Sequence, residues 1–140
     1  MPLNLKPKYY PTDPRPAAHM VIAAKLAGLD ALTLSFAFQR GLWAEERDIE
    51  DPDERRRIAD ANGFDGAALL DAAEGAAAKA LWVKNRTDAI ARGIFGTPTY
   101  CFNGALYGAR TGWTSSTKRW PPSDAPRDRP GRLAFAIMII

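Results

Sequence analysis

Strand-forming sequence is confined to one short stretch of this 140-residue chain, and that confinement limits what the chain can build. Thr99-Tyr100-Cys101-Phe102 is a β-type run, Asn103-Gly104 is a strong two-residue hairpin signal, and Ala105-Leu106-Tyr107 starts a returning strand. A two-stranded hairpin is not stable alone; it needs further strands or a supporting layer. No other convincing strand pattern is present. Helices are therefore expected to carry the core, with a sheet that is incomplete within these residues.

The helical signals come first along the chain. Residues 1–13 read as an irregular arm, because Pro2, Pro7 and Pro11, followed by Pro14 and Pro16, fix φ and push each preceding residue toward extended geometry. Asp13-Pro14 reads as an N-cap and first helical residue, opening a helix over 14–27 that Gly28 stops. Asp30 caps a second helix over 30–46. Its Leu34, Phe38 and Leu42 recur at i, i+4, i+8, and Phe36 and Trp43 read as core beside them. Asp51-Pro52 opens a third helix, with Glu54 placed for a capping box and Asn62-Gly63 as the stop. A short helix over 66–73 presents Leu69 and Leu70 inward. A fifth, over 75–92, carries Leu81, Trp82, Asn85, Ala89 and Ile90 and closes at Gly93. The organisation expected is an arm at 1–13, a helical region at 14–93, a β-type segment at 94–107 and a tail at 108–140. That tail has no period of 2 or 3.6, is rich in Pro, Ser, Thr and Arg, and ends in LAFAIMII, so it reads as disordered.

Composition excludes several functions. One cysteine rules out an internal disulfide and a Cys-x-x-Cys pair within these residues, and one histidine rules out a His-cluster metal site, so no metal is expected. Residues 1–109 hold 13 Lys and Arg against 14 Asp and Glu; residues 110–140 hold six against two. The basic excess thus sits in the tail alone, and nucleic-acid binding is not expected. No apolar run approaches the roughly 20 residues of a membrane helix, and the proline-rich start has no signal-peptide core, so a soluble, cytoplasmic chain is expected. His19 has no partner carboxylate at helical spacing and reads as a surface or packing residue. Cys101 reads as a small buried hydrophobe. Arg55-Arg56-Arg57, opposite Asp51, Asp53 and Glu54, reads as a solvated, charge-paired helix face.

The segment GIFGTPTYCFNGALYG, at 93–108, resembles the G-[VI]-F-G-[ST]-P-T-x-x-x-[ND]-G-x-x-[FY]-W-G-x-D-R-L ending of the 2-hydroxychromene-2-carboxylate isomerases. These stand with kappa-class glutathione transferases and DsbA in one thioredoxin-fold superfamily. YPTDPRPAAH, FAFQRGLWAEERDI and IADANGFDGAALL are similar to that family's helical insertion, and the likeness covers about residues 2–107. It implies an α/β, thioredoxin-like fold of the DsbA and kappa-class type with a helical insertion. Here that fold would be mostly helical plus a C-terminal β-hairpin, since the N-terminal β-α-β unit is absent. It implies glutathione as cofactor, a small aromatic substrate and a possible homodimer.

The resemblance also assigns sites. Thr97-Pro98 on spacing alone is an ordinary trans turn; the resemblance implies a cis bond whose Thr97 N–H and C=O pair with glutathione. Asn4 and Lys6 fall near where the family contacts glutathione or substrate carboxylates; the plainer reading is a turn asparagine and a solvated lysine. No catalytic residue is assigned, because the family's S-P-x-x-Y motif does not occur in these residues. The chain is therefore expected to be a truncated form, inactive as it stands, with non-catalytic helical binding or DsbA-type disulfide exchange as alternatives. Back-translation of 108–120 in GC-rich codons, read one frame over, spells W-G-Q-D-R-L-D-F-V-D-E-A-L, so a frameshift at Tyr107 is expected to account for the tail.

Overall fold

The computed structural model describes residues 3–94, 96, 99–102, 105–108 and 134–136. The chain divides into two compact units, Met1–Thr87 with Ile140, and Asp88–Ile139.

The first unit is built on local capping chemistry. Helix α1 spans Arg15–Leu26, α2 Ala31–Ala44, α3 Pro52–Ala61, α4 Gly66–Glu74 and α5 Ala76–Ala91, the last running on into the second unit. Asp30 caps α2 by accepting from the Leu32 and Thr33 amides at 3.2 and 3.1 Å, and Asp51 caps α3 through the Asp53 and Glu54 amides at 2.7 and 3.3 Å. Asp65 does the same for α4 through the Ala68 amide at 2.9 Å. The start of α1 departs from expectation by one residue. Pro14 is the cap, and the Asp13 carboxylate instead accepts from the Arg15 amide at 2.9 Å and pairs with its guanidinium. The capping box of α3 is half made, because the Glu54 carboxylate turns to Arg47 at 2.8 Å and to Arg57. Gly28 and Gly63 close α1 and α3 at φ +72 and +84, a left-handed conformation that costs a residue with a Cβ.

The core lies where α1 to α4 meet. Met20, Leu34 and Ile58 are fully buried, with Phe38, Leu42 and Leu69 around them. Trp43, Phe64 and Leu70 pack on this cluster while partly exposed. Two expectations fail here. Phe36 is 58% exposed: α2 turns Leu34, Phe38 and Leu42 inward, and a residue two positions from either lies across the helix axis. Arg55 is buried rather than solvated, because α3 directs it under the loop that precedes the helix; Arg56 and Arg57 keep exposed pairs with Asp53 and Glu54.

In the second unit Ala89 and Ile94 are buried, whereas Ile90 is 62% exposed. Strands β1 (Thr99–Phe102), β2 (Ala105–Gly108) and β3 (Ala134–Ala136) form an antiparallel sheet in the order β2-β1-β3. Tyr100 stands opposite Tyr107 on one side and Phe135 on the other. The third strand lies within the tail and pairs along the other edge of β1.

Candidate functional site

The arm before α1 is tied to the end of α2. The Asn4 amide donates to the Trp43 carbonyl at 2.8 Å. The Asn4 carboxamide donates to the Glu46 carboxylate and accepts from the Lys6 amide at 3.2 Å. Glu46 is non-glycine yet left-handed at φ 53, a conformation that costs free energy and turns the chain out of α2 with this carboxylate beside the arm. Farther along, Thr12 donates its hydroxyl to Glu50 at 3.0 Å, and the Asp13 amide donates to the same carboxylate. Tyr10 stacks on Trp43 at 5.0 Å between centroids, and the Tyr10–Pro11 peptide bond is cis.

Between the arm and α2 lies a groove of about 730 Å³. Leu3 and Leu5 line it from the arm and Phe36 and Trp43 from α2, and its polar lining residues are Asn4, Thr33, Gln39, Arg40 and Asn62. Leu5 and Phe36 are 89% and 58% exposed, so the walls are uncovered apolar surface. Arg40 donates from Nε to Glu45 at 2.8 Å and from an Nη to Asn62 at 3.5 Å.

Asn4 lines this groove with its carboxamide already engaged, and Lys6 is exposed on the arm two residues away. Thr97 and Pro98 lie outside the described residues, as do Asn103 and Gly104; beside them, the Thr99 hydroxyl donates to the Gly96 carbonyl at 2.6 Å. Arg40 and Asn62 were missed, and Phe36 was assigned to the core. The signal was present: Leu32, Phe36 and Trp43 run at i, i+4, i+11 beside the buried stripe, more apolar surface than one face of a helix needs.

Elsewhere in the first unit His19 meets the edge of Trp82 at 5.9 Å. Burial, then the Lys79 ammonium, pushes its pKa below the ordinary histidine value, which leaves a neutral imidazole at neutral pH. Among the described residues no three His, Cys, Asp or Glu side chains gather as a metal site would require, and no helix is long and apolar enough to cross a membrane.

The family model for the DSBA-like thioredoxin domain matches residues 1–121. The chain belongs to that family. The match takes in the arm, all five helices and the β1 and β2 segments, and it extends beyond residue 107 into the tail. No curated protein and no solved structure matches the chain. Membership in a DSBA-like family establishes the fold class; which chemistry the domain performs has to be argued from its residues.

Proposed function

We propose that this DSBA-like domain belongs to a glutathione-dependent isomerase acting on 2-hydroxychromene-2-carboxylate in aromatic-compound degradation. The observation that carries this reading is the GIFGTPTYCFNGALYG segment within the family match, since its spacing of glycines, proline and Asn-Gly resembles the ending of those isomerases. Disulfide exchange, the other chemistry of the superfamily, needs two thiols, and these 140 residues hold one.

In this reading Thr97 and Pro98 form the corner that holds the glutathione backbone, and Lys6 on the arm offers a cation to a glutathione carboxylate. The described residues fit the second role in part: Lys6 is exposed, whereas the Asn4 carboxamide is already bonded to Glu46, so Asn4 supports the arm instead of reaching a ligand. Glutathione, when bound, would supply a thiol whose reversible addition turns a substrate double bond into a single bond that can rotate before the thiol leaves. The domain's own contribution is to orient the two reactants and to stabilise the developing enolate oxygen.

The test is made on the purified chain with 2-hydroxychromene-2-carboxylate, with and without glutathione, and in parallel by titration with S-methylglutathione. Glutathione-dependent formation of trans-o-hydroxybenzylidenepyruvate supports the reading. So does saturable S-methylglutathione binding that Lys6→Ala weakens severalfold. A folded chain that neither turns over nor binds the glutathione analogue refutes it, and reduction of insulin disulfides would favour thiol–disulfide exchange.

A further inference from the structure

We propose that Asn62 is a covalent modification site gated by the end of α3: it deamidates only when that helix end opens, and the product favours the open form. The reaction needs no partner beyond water and hydroxide. Hydroxide takes the proton of the Gly63 amide, and that nitrogen attacks Asn62 Cγ. The new C–N bond closes a five-membered succinimide, and Nδ2 leaves as ammonia, taking a proton from water and so returning the hydroxide. Water then opens the ring to aspartate or isoaspartate. Overall one water is consumed and one ammonia released, with no change of oxidation state. A glycine after the asparagine favours closure, because it puts no Cβ beside the forming ring. Asn62-Gly63 supplies that pair.

The fold holds each reacting atom off this course. The nucleophile is engaged, since the Gly63 amide donates to the Asp60 carbonyl at 3.1 Å. The leaving group is engaged as well, with Asn62 Nδ2 donating to the Ile58 carbonyl at 2.7 Å. Ring closure also requires the Gly63 nitrogen to stand on the same side of the Asn62 Cα–C bond as Cβ. Asn62 has φ −109 and ψ 17, a near-helical ψ that turns this nitrogen nearly opposite Cβ. The Phe64 amide, which donates to the Ala59 carbonyl at 3.1 Å, keeps the turn in that form. Gly63 is nevertheless exposed, with no neighbouring atom within 4 Å of where a Cβ would stand, so hydroxide reaches it once the turn opens. Helix ends fray and open locally at lower cost than the core.

The change is not neutral for the helix. An aspartate at 62 has no N–H to give the Ile58 carbonyl, and it adds negative charge at the C-terminus of α3, where the helix dipole already disfavours it. Isoaspartate also inserts a methylene into the backbone immediately before the left-handed Gly63 that stops the helix. Modification therefore records an opening of this end and makes the next one easier.

Peptide mapping of the full chain by mass spectrometry, in mildly alkaline buffer, tests the proposal, with the Asn62 peptide read apart from that of Asn103-Gly104. Asn62 is expected to deamidate at least about tenfold more slowly in the folded chain than in concentrated urea. Below the unfolding transition the folded rate should stay nearly level as urea is added, because opening a helix end exposes little surface. Asn62→Asp, which reproduces one product, should lower the thermal midpoint by several degrees. Equal rates in the folded chain and in concentrated urea overturn the proposal, since the fold then gates nothing. A folded rate that climbs in step with the unfolded fraction overturns it too, because global unfolding is then the only gate. So does an Asn62→Asp chain as stable as its parent, because the product then does not favour opening.

Discussion

Arg55 is the charged side chain that the interior of the first unit accommodates, at 6% exposure, and its role is structural. One of its Nη atoms donates to two backbone carbonyls, Ile49 at 3.0 Å and Glu50 at 2.6 Å, while Nε is buried without a partner. A buried guanidinium is costly, and its bonds to these two carbonyls, which would otherwise lack these donors, offset part of that cost. The same loop carries Glu50, whose carboxylate holds Thr12 and Asp13, so Arg55 indirectly sets the course of the arm. Arg55→Met, which keeps the stem and removes the donors, is expected to lower the unfolding free energy by about 2–4 kcal/mol in a urea titration. A loss under about 0.5 kcal/mol would show that water replaces the guanidinium without cost. Arg55 could not be singled out among three consecutive arginines, because each has the same local context and differs only in what lies opposite.

At the level of elements, α2 and the α3–α4 pair show two outcomes of the same packing rules. Helix α2 carries one apolar stripe into the core and a second along the groove, and periodicity alone ranks neither above the other. Helices α3 and α4 approach so closely that Gly66 has no room for a side chain: a Cβ there would lie 2.5 Å from the Arg56 carbonyl oxygen and 2.8 Å from Asp60 Oδ1. The Gly66 amide also donates to that Asp60 oxygen at 2.8 Å. Because one of the clashing atoms is backbone, the helices must separate to accept even one methyl group. Gly66→Ala is therefore expected to destabilise the chain by about 1–3 kcal/mol despite the better helix propensity of alanine, read as a lower thermal midpoint. Gly63→Ala provides the contrast, since no neighbouring atom stands within 4 Å of its Cβ and the cost comes from positive φ alone.

For the whole molecule, the pKa shifts point to instability in acid. Asp13, beside the Arg15 guanidinium, and Asp30, accepting from the Thr33 amide, are held below the ordinary carboxylate range, as are Glu54 by Arg47 and Glu74 by Lys79. His19 is lowered by burial. For each of these groups the unfolded chain binds the proton more tightly, so the stabilisation is complete above the unfolded pKa and is lost as pH falls through the folded one. The thermal midpoint should hold between pH 8 and 7, begin to fall below about pH 6.5 as His19 protonates on unfolding, and fall further below about pH 4 as the carboxylates do. His19→Gln should abolish the first decline and leave the second; a midpoint insensitive to pH down to about 4 in the unsubstituted chain would refute the His19 assignment. The helices themselves were legible because their determinants are local: Asp30, Asp51 and Asp65 each cap amides within three residues, and Gly28 and Gly63 end helices through their own φ. Only the tertiary structure decided which stripe of α2 faces inward, which of three arginines is buried and where the arm leaves a groove. Those outcomes depend on atoms brought near by distant parts of the chain, such as Asn4 against Trp43 and Glu46, and periodicity carries no record of them.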